Sequence, residues 1–208
     1  IMSSDWSSDV CSSDLVPPVT EELTATIDER IVRPTLRGMR DEGLMYRGVL
    51  YFGLMITAEG PKLLEYNVRL GDPETQVLLP LIQSDFGNLC EALLEGTIET
   101  FSLRLLPDYA VGVVVASEGY PARYPKGIEV KRLPESMNRK LLVFHALTVV
   151  DQDGVVRTGG GRCFTVVGVG PTILSANKRA YQAVSEVDFS GAWYRHDIGQ
   201  RFLIEDHS

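Results

Sequence analysis

The sequence predicts an α+β protein built in two parts, on three observations. Apolar residues recur at helical spacing as far as Glu42, then give way to two strand-like runs joined by a Gly-Pro turn. Two further helical segments lie between Asp72 and Gly96. From Tyr109 onward strand-like runs dominate and one helix closes them, the pattern of a small α+β domain. The parts are expected to meet near Asp108, giving domains at 16–108 and 109–208.

Composition bounds what these parts do. A chain of 208 residues, 44% hydrophobic and 23% charged, buries a real core and lacks the apolar-poor signature of disorder. The net charge of −8, with no basic stripe, argues against nucleic acid and against a membrane surface as partners. Phosphate-bearing ligands would have to be met by a metal ion or by single arginines. No apolar run approaches the roughly 20 residues of a membrane span, and the nearest, Leu141–Val150, is interrupted by His145 and Thr148. Cys11, Cys90 and Cys163 are too scattered for a zinc site or a disulfide framework, and the N-terminus lacks a secretory pattern, so a cytoplasmic location is expected.

Residues 1–15 repeat Ser-Ser-Asp three times without helical or strand period. Asp9 to Leu15 is what the sequencing adapter GACGTGTGCTCTTCCGATCT encodes in frame, so this stretch is read as non-native, with a disordered native tail as the alternative. From Thr20, a capping residue, the acidic pair Glu21 and Glu22 opens a helix with Leu23, Ile27 and Ile31 on one face. Pro34 is expected to interrupt it, and a short helical turn over Thr35–Glu42 to end at Gly43. Runs Gly48–Thr57 and Lys62–Leu70 flank Ala58-Glu59-Gly60-Pro61 as a hairpin.

Asp72-Pro73-Glu74 reads as a helix start, the helix running to about Ile82. Ser84 is expected to cap the next, whose Phe86, Leu89, Cys90, Leu93 and Leu94 keep the 3.6-residue period before Gly96 ends it; Cys90 is thereby assigned to the core. Strands are predicted at Tyr109–Ser117, Ile128–Leu133, Leu141–Val150 and Gly161–Gly168. A helix from Thr172 follows, with Ile173, Ala176, Ala180, Tyr181 and Val184 inward.

The chemistry concentrates in Leu64 to Gln76. Side chains two apart on a strand share a face, so Glu65, Asn67 and Arg69 form a row with neighbours about 6–7 Å apart. Magnesium takes oxygen ligands and keeps positions for water and phosphates, which Glu65 and Asn67 suit, while the planar fork of Arg69 suits a phosphoryl oxygen or a carboxylate. By itself Glu-x-Asn-x-Arg equally describes a strand turning polar residues to solvent.

The surrounding residues decide between these readings. Arg69-Leu70-Gly71-Asp72-Pro73-Glu74-Thr75-Gln76-Val77 resembles the signature of the phosphoribosylamine–glycine ligases, and Glu65-Tyr66-Asn67 resembles the metal-binding strand of ATP-grasp enzymes. The resemblance runs from Pro17 to Phe202, through Arg33-Pro34-Thr35, Gly48-Val49-Leu50-Tyr51, Gly119-Tyr120-Pro121, Phe144-His145-Ala146 and Asp197-Ile198-Gly199. It implies that 16–108 is the C-terminal part of an ATP-grasp domain and 109–208 the C-terminal ligase domain. It also implies magnesium or manganese on Glu65 and Asn67, with Arg69, Gly71 and Asp72 near glycine or 5-phosphoribosylamine, Arg69 serving catalysis and Asp72 otherwise being a helix cap.

The implied activity is ATP-dependent joining of glycine to phosphoribosylamine in purine synthesis, with the N-terminal half of the enzyme as the partner this stretch lacks. Alternatives are another ATP-grasp carboxylate ligase, against which Gly71-Asp72-Pro73-Glu74 argues, and a non-catalytic binding module. Leu147 and Gly159 depart from the family, which has glycine and a polar residue there. His145 is read as a hydrogen-bonded core histidine and the tail carrying His196-Asp197 as structural. Arg162, after three glycines, either reaches into a cleft or sits in a tight turn.

Overall fold

A computed structural model describes residues 20–135 and 137–203, so the expectations for residues 1–15, Cys11 among them, fall outside the described residues. The elements are helices α1 Glu21–Ile27, α2 Arg33–Asp41, α3 Glu74–Leu78, α4 Phe86–Glu95 and α5 Ile173–Val184. The longer strands are β1 Tyr51–Thr57, β2 Gly60–Asn67, β3 Tyr109–Ser117, β5 Leu141–His145 and β8 Arg162–Gly170. Short strands are β4 Val130–Arg132, β6 Thr148–Val150, β7 Val156–Thr158, β9 Asp188–Phe189 and β10 Ala192–Trp193.

The described residues form two compact units, one of 20–71 and 84–104, the other of 72–83 and 105–203. These contact units do not follow the expected division at Asp108. The chain crosses three times, because segment 72–83 packs with the C-terminal strands.

In the first unit, Thr20 caps α1 by accepting from Leu23 N–H at 3.1 Å. Pro34 does not interrupt the helical run, against expectation. A π-helical stretch Asp28–Val32 precedes it, with Arg33 N–H donating to Asp28 O, and the added residue accommodates a proline that has no N–H. The run ends in a Schellman motif, with Gly43 at φ 70° and Leu44 N–H donating to Met39 O at 2.8 Å.

Strands β1 and β2 pair antiparallel through a two-residue turn, with a bulge at Gly53/Leu54 that leaves Leu64 unpaired. This hairpin gains no third strand among the described residues, and Met55, Ile56, Leu64 and Val68 are exposed. Helix α4 is capped by Asp85, which accepts from Asn88 N–H at 3.0 Å. The expected cap, Ser84, instead accepts from Arg104 N–H at 2.7 Å. Cys90 is half-buried rather than core, and Leu94 is exposed.

The second unit is organised by an antiparallel sheet of order β10-β3-β8-β5. Both faces are covered, which explains why Val111–Val115 and Phe164–Val169 read as nearly unbroken apolar runs. Val111, Val113, Val115, Phe164 and Val166 pack with Ala176, Ala180 and Val184 of α5. Ala110, Val167 and Val169 meet Val77 and Leu81 on the other face. Helix α5 is fixed by a capping box between Thr172 and Ser175.

Tyr181 ties the tail to α5, its hydroxyl accepting from Ile198 N–H and donating to Arg195 O, both at 2.9 Å. Burial pushes this phenol's pKa up. The predicted strand Leu141–Val150 is two strands, β5 and β6, because Ala146 and Leu147 turn toward Cys163 and Arg162, whose carbonyls accept their N–H groups. His145 is hydrogen-bonded as expected, to Thr148 Oγ1 at 2.8 Å, but it is exposed on the edge strand rather than in the core.

Helix α5 approaches β8 at Gly168, where a Cβ would lie 2.2 Å from Ala176 O and 2.6 Å from Ala180 N. Backbone cannot yield there as a flexible side chain would. Gly168→Ala is accordingly expected to destabilise the protein by about 1–3 kcal/mol, read as a lowered denaturation midpoint. An unchanged midpoint would mean that α5 does not rest on this residue.

Candidate active site

Strand β2 alternates half-buried Leu63, Glu65 and Asn67 with exposed Leu64 and Tyr66. Glu65 and Asn67 therefore share a face, and Asn67 Nδ2 donates to Glu65 Oε1 at 3.2 Å. Gly53 lies opposite Glu65, and a Cβ there would stand 2.9 Å from Glu65 Cγ. The missing side chain is what lets the glutamate lie across β1. Sequence reasoning missed Gly53, although a glycine inside a strand is itself a signal of close approach.

Arg69 does not complete the row. Strand β2 ends at Asn67, and Arg69 lies in the following bend, exposed, donating from Nη1 to Leu70 O at 2.9 Å. The two-residue period ends with the strand, so its face no longer follows from spacing. Gly71 is buried and is the last residue of the first unit's leading segment.

Asp72 opens the segment that belongs to the second unit. It is not a helix cap: α3 has Pro73 at its N-cap with no side-chain cap bond. The Asp72 carboxylate instead accepts from Gln76 Nε2 on Oδ1 at 2.9 Å and from Arg162 Nη2 on Oδ2 at 2.9 Å. Arg162 Nη1 also donates to Asp72 O at 3.2 Å. Of the two readings for Arg162, the structure shows the close-packed glycine bend, and the side chain bonds to Asp72.

Glu65 and Asn67 offer a carboxylate and an amide oxygen, hard donors suited to magnesium or manganese. Among the described residues no group of three or more His, Cys, Asp and Glu converges. Elsewhere, the Arg195 guanidinium bonds to Asp197 at 2.6 Å and holds its carboxyl below the usual range, while the His196 ring lies tilted against that of Tyr194. His196 and Asp197 form no dyad. Cys163 is fully buried beside Ser117, and burial raises its thiol pKa, the opposite of what a nucleophile needs.

Comparison with known proteins places these features. Residues 110–201 match the phosphoribosylglycinamide synthetase C domain, and residues 10–75 match the ATP-grasp (A) domain of the same synthetase. The second match overlaps the stretch read as non-native. The chain is 42% identical over 182 residues to a phosphoribosylamine–glycine ligase of Caldanaerobacter subterraneus, covering 88% of this chain and 43% of the relative. It is 44% identical over 188 residues to the trifunctional purine biosynthetic protein adenosine-3 of Gallus gallus, covering 90% and 19%.

The crystal structure of a phosphoribosylamine–glycine ligase from Thermotoga maritima superposes with a TM-score of 0.68 at 38% identity, over 88% of this chain and 44% of that one. A biotin carboxylase domain from Hydrogenobacter thermophilus shares the fold, with a TM-score of 0.58 at 16% identity over 92% and 45%. The chain thus spans under half the length of these relatives.

Placing a side chain at Gly53 should displace Glu65 from Asn67. If Glu65 and Asn67 hold a metal ion, Gly53→Val in a full-length protein carrying this sequence is expected to weaken manganese affinity about tenfold or more, the scale of disturbed support at a metal site. Unchanged affinity in a titration would show that the Gly53–Glu65 contact does not serve the pair.

Proposed function

Because this chain belongs to the phosphoribosylglycinamide synthetase family, we propose that it is the metal-bearing, C-terminal part of a phosphoribosylamine–glycine ligase. The observation that carries the reading is the Glu65–Asn67 contact on β2, immediately ahead of the Gly71-Asp72-Pro73-Glu74 segment. In the proposed reaction a glycine carboxylate oxygen attacks the γ-phosphorus of ATP, and the bond to the bridging oxygen breaks to release ADP. The amine of 5-phosphoribosylamine then attacks the carbonyl carbon of glycyl phosphate, expelling phosphate and losing a proton. Glycinamide ribonucleotide results.

Glu65 and Asn67 hold magnesium or manganese in this scheme, and the ion supplies charge neutralisation on the phosphate oxygens, worth several kcal/mol. Asp72, with both carboxylate oxygens oriented, receives an N–H or O–H of glycine or phosphoribosylamine. Arg69, exposed and off the strand, has guanidinium donors besides the Nη1 that bonds to Leu70 O, and these meet a phosphoryl or carboxylate oxygen of the substrates in this scheme. The exposed Met55, Ile56, Leu64 and Val68 and the two-stranded hairpin support a further lobe as partner, since an isolated hairpin is marginal in water. Among the described residues no helix is long and apolar enough to cross a membrane.

In the complete parent enzyme, Glu65→Gln and Asn67→Ala should each reduce magnesium-dependent turnover by about a hundredfold or more, at the scale of lost metal or electrostatic stabilisation, with the melting midpoint nearly unchanged. Turnover equal to wild type at every magnesium concentration would defeat the assignment. A second expectation concerns the 208-residue chain by itself, which should make no glycinamide ribonucleotide from ATP, glycine and phosphoribosylamine. Positioning between two lobes supplies as much as ~7–11 kcal/mol of barrier reduction. Product requiring both substrates and abolished by Glu65→Gln would show that this chain is sufficient.

A further inference from the structure

Arg162 stands at the start of β8, on a turn with almost no freedom. Ser117 holds that turn by its N–H to Gly161 O at 2.8 Å and its hydroxyl to Gly160 O at 3.1 Å. Gly159 N–H donates to Leu147 O at 2.7 Å and Leu147 N–H to Arg162 O at 3.1 Å. A Cβ on Gly160 would lie 2.6 Å from Leu147 Cβ, and one on Gly161 would lie 2.1 Å from Tyr120 Cδ2. The glycines are packed between Leu147 and Tyr120, so the base of the Arg162 side chain is fixed in place. Leu147 fills the space above Gly160.

From this base the guanidinium grips one residue twice, at the Asp72 carboxylate and the Asp72 carbonyl, while Gln76 takes the other carboxylate oxygen. Magnitude decides what the arrangement is for. The two side chains are 30% and 42% exposed, and pairs of that kind contribute about 0–1 kcal/mol. Such a pair does little for stability, yet two hydrogen bonds to the carboxylate and a third to the same residue's carbonyl define the direction of one side chain.

On the functional reading given above, we propose that Arg162 is a positioning residue, holding the Asp72 carboxylate in the orientation that receives a substrate N–H or O–H. Each carboxylate oxygen has a lone pair left for that bond after its protein donor is satisfied. Lysine in place of Arg162 brings the charge without the fork, and cannot hold the carboxylate and the carbonyl together.

The test has two arms. In the complete parent enzyme, Arg162→Lys should raise KM for glycine or for phosphoribosylamine about tenfold or more, the scale of a small misplacement, while KM for ATP and the melting midpoint stay put. Methylguanidinium added to Arg162→Ala should restore part of the loss. In the 208-residue chain, Arg162→Lys should speed hydrogen exchange at the amides of residues 74–77 and leave the centres of β3 and β8 protected. Unchanged KM for both substrates, or turnover falling only in step with the melting midpoint, would overturn the proposal. Unchanged exchange at 74–77 would overturn it from the structural side. If the wild-type parent forms no glycinamide ribonucleotide, the functional reading fails separately, and the exchange arm still decides whether Arg162 orders this segment.

Discussion

The second unit depends on one constraint: a four-stranded sheet that must be covered on both faces while its polar ends stay usable. Glycine at 168 admits the backbone of α5 on one face, and glycine at 112 admits Val77, whose Cγ1 would otherwise lie 2.7 Å from a Cβ. Those two seats fix α5 and α3 against strands β8 and β3. The segment that carries Asp72 to Gln76 is thereby part of the sheet's own packing, not a free connection. Arg162 is the first residue of the same β8, so the sheet sets both ends of the Asp72–Arg162 pair.

A parallel logic operates in the first unit at smaller scale. The hairpin gives Glu65 and Asn67 a common face, and the glycine across from Glu65 gives its side chain room to reach the amide. In both places a glycine stands where a polar side chain or a helix needs an approach that a Cβ would block.

Much of this was legible in the sequence. The period of two placed Glu65 beside Asn67, Thr20 and Thr172 announced the helices they cap, and the runs Tyr109–Ser117 and Gly161–Gly168 announced strands. Arg69 was misplaced because nothing local marks Asn67 as the strand's last residue. Pro34 was overrated as a breaker because a π-helical register absorbs it. Ser84 and Asp85 are both good caps, and the contact that occupies Ser84 comes from Arg104, twenty residues away. Strands of two or three residues such as β7, β9 and β10 carry too little pattern to read. The Asp72–Arg162 pair spans ninety positions, and no local period encodes it.

The central claim is that Glu65 and Asn67 are metal ligands of an ATP-dependent ligase, and manganese reports on it directly. Crystals of the complete parent protein, grown with manganese and a non-hydrolysable ATP analogue, would locate the ion by its anomalous scattering. The account predicts a peak within coordination distance of a Glu65 carboxylate oxygen and the Asn67 amide oxygen. A manganese peak elsewhere, with Asn67 still donating to Glu65, would contradict it.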